Sequence, residues 1–189
     1  ESPLTLKAEP DGRPVSEDLR RMLLELAALT DKLTVEWTPP SDGPERPCVR
    51  FFRADGSDTG IAFHGVPGGH EFNSFIVGLY NAAGPGQSID PALAEAIAAI
   101  GRPLELQIVV SLTCTMCPEL VMAAQKIAAS NPLVTAKAYD VNLFPELRER
   151  YKIMSVPCLI INKTKVAFGK KTLAQLLELL AEPEAGHAG

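Results

Sequence analysis

Two thiols stand two residues apart in "SLTCTMCPEL", residues 111–120, directly after an apolar run and directly before a proline. At that spacing Cys114 and Cys117 can serve as a dithiol–disulfide couple, as half of a metal site, or as plain packing. A cysteine attacks as its thiolate. The start of a helix lowers thiol pKa, because unpaired N–H groups and the macrodipole favour negative charge there. Pro118 suits a first helical turn, where a missing N–H costs no intrahelical bond. Cys114 is the candidate nucleophile, and Cys117, one turn further in, is the candidate resolving thiol. Thr113 offers a hydroxyl nearby, while Thr115 and Met116 add no charge between the sulfurs.

Zinc normally takes four ligands, and an all-thiolate site needs a second close pair. Here Cys48 and Cys158 are isolated, and His64, His70 and His187 are scattered. Zinc is disfavoured; a metal or inter-chain iron–sulfur site built on Cys114, Cys117 and Cys158 stays open as the alternative. Cys158 follows "SVP". An X-Pro bond has a small trans preference, so Val156–Pro157 reads as a cis turn that opens a strand and leaves the preceding backbone free for a bound chain. Cys158 itself reads as a buried apolar cysteine in "PCLII". A further titratable candidate is Glu71 in "GGHEF", residues 68–72, beside His70. A glutamate in a first turn is ordinarily solvated and favoured there by the dipole.

The elements that must position these groups come in two series. After the strand in "PLELQIVVSL", Leu120, Val121, Ala124, Ile127 and Ala128 repeat at helical spacing until "NP" breaks the pattern at 131. "LVTAKAYDV" reads as a strand, 145–151 as a short helix, "MSVPCLIINKTKVAFG" as a hairpin, and "KKTLAQLLELLA" as an amphipathic helix. The first half repeats the plan. "PLTLKAE" echoes "PLELQIV", and a helix follows with Ser16 as its expected N-cap and Leu19, Met22, Leu23, Leu26 and Leu29 on one face. "DKLTVEW" is the next strand, Pro47–Cys48 mirrors Pro157–Cys158, and a helix over 70–82 closes the half. Where the second half has its thiols, the first has "EPDGRPVSED".

The expected fold is therefore α/β, two copies of one unit, with the CxxC at a strand–helix junction, the thioredoxin-like context that a redox pair requires. The boundaries are 1–84 for the copy without CxxC, 85–102 for a connecting turn and helix, 103–182 for the copy with it, and 183–189 for a frayed tail. With 189 residues there is room for two such cores. Eighteen Lys and Arg against 23 Asp and Glu give a net charge of −5 without a basic stripe, which argues against nucleic acid. No apolar run approaches the roughly 20 residues of a membrane span, and no signal peptide opens the sequence, so a cytoplasmic location is expected. Four cysteines are too few for a disulfide-stapled scaffold.

"GVPGGHEFNSFIVGLYNAAG", "SLTCTMCPELVMAAQKIAASNP" and "MSVPCLIIN" together resemble the N-terminal domain of the bacterial alkyl hydroperoxide reductase flavoprotein subunit, across nearly the whole chain. The resemblance implies two fused thioredoxin-like folds, each a mixed central sheet flanked by helices, with one active disulfide, Cys114 as nucleophile, Cys117 as resolving thiol and Glu71 tuning the pair across the interface of the two halves. It also implies a thiol–disulfide oxidoreductase that takes electrons from a flavoprotein reductase and gives them to a peroxiredoxin or another protein disulfide. No G-x-G-x-x-G follows a strand, so FAD and NAD(P)H are expected only on the partner reductase, and the Cys114–Cys117 disulfide is the sole expected redox group. A disulfide oxidase or isomerase is the runner-up, since direction follows from potential and partners. Met116 departs from the polar residues the family places between its thiols.

Overall fold

The computed structural model describes residues 1–183; the expected frayed tail lies outside the described residues from 184 onward. β1 (Leu4–Glu9) buries Leu4, Leu6 and Ala8 and leaves Thr5, Lys7 and Glu9 half-buried, the period of a strand with one face on a core. α1 (Val15–Ala27), β2 (Leu33–Trp37), β3 (Cys48–Arg53), β4 (Asp58–His64) and α2 (Glu71–Ala82) complete the first half. α3 (Pro91–Ala98) connects it to β5 (Leu104–Val110), α4 (Cys117–Ser130), β6 (Val134–Asp140), α5 (Pro145–Arg150), β7 (Cys158–Ile161), β8 (Lys165–Phe168) and α6 (Leu173–Ala181). Local chemistry sets several starts. Asp90 accepts from Ala92 N–H to cap α3, and Thr172 with Gln175 forms a reciprocal capping box on α6.

The strands form one mixed sheet in the order β2-β1-β3-β4-β6-β5-β7-β8. Each half has the same wiring: a central strand parallel to one neighbour and antiparallel to the next, which continues as a hairpin. The halves join where β4 lies parallel to β6, from Ile61 opposite Ala136 to His64 opposite Tyr139. Gly60 makes this seam possible, since at φ +76° its position faces Val134 O too closely for any side chain. One hydrophobic core runs through both halves, from Leu6, Phe51 and Phe75 to Leu106, Ile127 and Leu176. A smaller cluster under α5 holds Val109, Tyr139, Phe144, Leu147 and Cys158.

Two local expectations are overturned. Ser16 is not an N-cap: α1 opens at Val15 after Pro14, and the buried Ser16 hydroxyl accepts from Asp11 N–H and donates to Asp11 Oδ1. Proline's fixed φ sets the helical conformation two residues earlier than a Ser16 cap would. Leu29 is not on the apolar face either, because α1 stops at Ala27 and Leu29 is 81% exposed in the turn beyond it. No described helix is long and apolar enough to cross a membrane.

Phe75 anchors α2 to the sheet. Its ring is fully buried and meets Phe51 edge to face at 5.1 Å. Phe75→Ala should lower the unfolding free energy by about 3–5 kcal/mol, read from urea denaturation. A loss below about 1 kcal/mol would mean that α2 is not held to the sheet through this ring.

Candidate active site: a disulfide at an uncapped helix start

Cys114 and Cys117 form a disulfide, with Cα atoms 5.6 Å apart. β5 ends at Val110, the chain turns through Ser111 O accepting from Cys114 N–H at 3.0 Å, and α4 opens at Cys117. Cys114 therefore precedes the first helical turn and Cys117 begins it. Cys114 is half-buried and Cys117 fully buried. Unlike α3 and α6, α4 has no described side chain capping its start at Met116, and Pro118 stands in its first turn. Its free N–H groups are thus available to a negative sulfur. Thr113 shares its hydroxyl with Ser111 at 3.1 Å and makes no described bond to either sulfur.

Two neighbouring segments flank the pair. Val156–Pro157 is cis, Pro157 is buried, and Val156 O lies 3.9 Å from Cys114 Sγ. On another side, His70 N–H donates to Leu112 O at 2.9 Å, tying the start of α2 to the loop that carries the disulfide. Gly69 allows that contact, because at φ +53° its position points straight at Leu112 O. Glu71, the first residue of α2, is fully buried rather than solvated. Burial pushes its carboxyl up to about 7, and the Ser74 hydroxyl pulls the other way. Ser74 Oγ donates to Glu71 O at 2.9 Å and to Glu71 Oε2, while Glu71 Oε1 has no partner among the described residues.

The thioredoxin-domain family model matches residues 104–181, the half that holds the disulfide. The N-terminal domain of the alkylhydroperoxide reductase AhpF from Enterococcus faecalis is 38% identical, with a TM-score of 0.89 over 95% of this chain and 91% of that one. This chain belongs to the AhpF family of alkyl hydroperoxide reductases, as a counterpart of its N-terminal domain. AhpF from Pseudomonas aeruginosa is 32% identical over 98% of this chain, which spans only 34% of that protein's length. A Bacillus subtilis relative named NADH dehydrogenase is 29% identical over 94% of the chain, again 34% of that protein. A protein disulfide oxidoreductase from Aeropyrum pernix shares the fold, with a TM-score of 0.81 at 19% identity. The chemistry of this AhpF-type domain is thiol–disulfide exchange: a closable CxxC pair in a thioredoxin-like fold passes electrons as a dithiol–disulfide couple.

Within the AhpF-type fold, the first half shows what stands where the thiol is missing. Arg46–Pro47 is a second cis bond, in the place of Val156–Pro157. Arg13 Nη2 donates to Arg46 O at 2.5 Å, as Cys114 Sγ sits against Val156 O, and Arg13 Nη1 reaches Leu143 O of the other half at 3.1 Å. In the first half a guanidinium thus contacts the carbonyl before the cis proline, which a sulfur contacts in the second. The sequence showed the missing thiol but neither this contact nor the Ser74 hydroxyl on the Glu71 carboxyl. Cys48 and Cys158 are free and buried; burial pushes their pKa up to about 12 and about 11, so neither is a ready thiolate. Cys158 lies in the cluster under α5. Among the described residues no group of three or more His, Cys, Asp or Glu is placed to hold a metal.

A carboxyl whose folded pKa lies above its ordinary 4.5 binds its proton more tightly when folded. Its stabilisation is complete below that value and is lost as pH rises through about 7. Glu71→Gln, which cannot ionise, should gain about 2–3 kcal/mol on the parent chain between about pH 4 and pH 8, measured by urea unfolding across that range. A constant difference would show that folding leaves the Glu71 pKa at its ordinary value.

Proposed function

We propose that this chain carries two electrons from a flavoprotein disulfide reductase to a peroxiredoxin or another protein disulfide, as one step of peroxide detoxification in the cytoplasm. The observation that carries the reading is the difference in exposure within a single disulfide: Cys114 is half-buried and Cys117 is at 0%. Only one sulfur is open to another protein, and its neighbour is placed to close the ring behind it.

In the reduced state the Cys114 thiolate attacks an acceptor disulfide, joins one acceptor sulfur and releases the other as a thiolate. Cys117 then gives up its proton, its sulfur attacks Cys114, and the second acceptor sulfur leaves. The ring re-forms, and two electrons have passed to the acceptor. Glu71, buried with one free oxygen, is the acceptor of the Cys117 proton in this scheme. Pro157 shapes the turn that keeps Val156 O beside Cys114 and turns the backbone before it toward the incoming chain. FAD and NAD(P)H act on the reductase that re-reduces the pair. The folds are assigned as 1–84 and 103–182, with 85–102 between them and 183–189 as tail.

A metal or iron–sulfur reading loses its motive, because two of its three sulfurs are joined and Cys158 is buried in an apolar cluster. Cys114→Ser should reduce reductase-coupled turnover of a peroxiredoxin to the uncatalysed background. Cys117→Ser should instead trap a mixed disulfide between Cys114 and the acceptor, visible on a non-reducing gel. Full turnover by the Cys114→Ser chain would overturn the scheme. A reduction potential near −270 mV fits a reductant, and one above roughly −200 mV would make the chain an oxidant.

A further inference from the structure

α2 and α4 run side by side in the same direction. The start of α2 meets the loop before α4 where His70 N–H donates to Leu112 O, Gly78 faces the Gln125 side chain, and Lys126 Nζ of α4 donates to Pro85 O in the chain beyond α2 at 2.9 Å. Seven residues are nearly two full turns, so stepping back seven from Gly78 and from Gln125 stays on the facing sides of both helices. That step reaches Glu71 on α2 and Pro118 on α4, beside Cys117. Glu71, Ser74 and Gly78 share one face of α2, and Cys117, Val121 and Gln125 share one face of α4. Glu71 and Cys117 therefore fall at the same end of the facing sides of the two helices.

We propose that Ser74 is a positioning residue for disulfide exchange: it holds Glu71 Oε2 from within α2, so that Oε1 is left for the Cys117 proton. The inference rests on the exchange scheme above and adds to it the group that sets the Glu71 carboxyl. Ser74 is fully buried, and its hydroxyl donates to the Glu71 side chain and backbone. A single hydroxyl hydrogen offered to Oε2 favours the ionised carboxylate, the form that accepts a proton. Without it, burial acts on Glu71 unopposed.

Other charges do not compete for this role. On α4, Glu119 faces Lys170 at the surface, and Lys126 is spent on Pro85 O at the far end. On β3, Arg53 donates to Ala129 O, and Arg50 pairs with Glu9 and Glu45 around Cys48. On β4, Asp58 accepts from Gly60 N–H, and His64 stacks on Tyr139 with Nδ1 2.6 Å from Glu45 O. His70, next to Glu71, is exposed.

The test uses the whole chain and oxidised glutathione as the acceptor. The reduced chain is mixed with it at a series of pH values, quenched with acid, and the closing of the glutathione mixed disulfide by Cys117 is timed by mass. The rate should rise with pH through a midpoint set by Glu71. Ser74→Ala should move that midpoint up by about one unit and slow closure at neutral pH about five-fold. Ser74→Thr, which restores a hydroxyl, should return it toward the parent value. In a Glu71→Gln background Ser74→Ala should change nothing further. An unmoved midpoint in folded Ser74→Ala, with Glu71→Gln still flattening the profile, overturns the role of Ser74 and leaves the scheme standing. An additional effect of Ser74→Ala in the Glu71→Gln chain also overturns it, because Ser74 would then act without Glu71. A parent rate that does not rise with pH, or a Glu71→Gln profile identical to the parent's, would remove the proton step of the scheme itself.

Discussion

Parallel pairing of β4 with β6 fixes where everything else lies, because it turns two edge strands into the centre of one sheet. Parallel neighbours cannot be joined by a tight turn, so the chain leaves β4 through α2 and α3 and returns along β5 and α4. The helices of both halves then cover the same side of the seam. α2 lies on α4, and the close approach is possible because Gly78 offers no side chain to the face holding Gln125. Once those helices are side by side, the first turn of α2 must stand beside the first turn of α4. The start of α2 is tied to the loop that carries the disulfide where His70 N–H donates to Leu112 O, so the two halves meet there without sharing a loop.

The two halves have the same wiring and opposite chemistry. Both keep a cis proline before a buried cysteine, Pro47–Cys48 and Pro157–Cys158. In the second half the carbonyl before the proline faces a sulfur; in the first it accepts from Arg13. Arg13 is held in turn by Asp11 at 2.7 Å and reaches across to Leu143. A guanidinium has five donors in a fixed plane and stays charged, which suits it to binding loops together and unfits it for electron transfer. The first half gives up redox chemistry and supplies a fixed support and a buried carboxyl.

That carboxyl sits under opposed forces. Burial favours its neutral form, and the Ser74 hydroxyl tilts the balance back toward charge. In the proposed exchange scheme such a group takes the proton of Cys117, the fully buried sulfur of the pair. Cys114, half-exposed before an uncapped helix start, has backbone N–H groups to steady its charge.

The sequence by itself determined the elements, their repetition and the identity of the reactive pair, because these depend on local chemistry. Apolar spacing marks helices and strands, proline marks turns and starts, and two thiols separated by two residues at a strand–helix junction can meet whatever else the chain does. It misplaced the start of α1 and the exposure of Leu29, where proline's backbone preference and the helix end outweighed the apolar pattern. Only the tertiary structure decided that two similar units share one sheet and one core, that Arg13 meets the carbonyl a sulfur meets in the other half, and that Glu71 is buried against Ser74 rather than solvated. Those outcomes depend on which surfaces face each other across the β4–β6 seam, and contacts between residues far apart in the chain leave no periodic trace in either segment read alone.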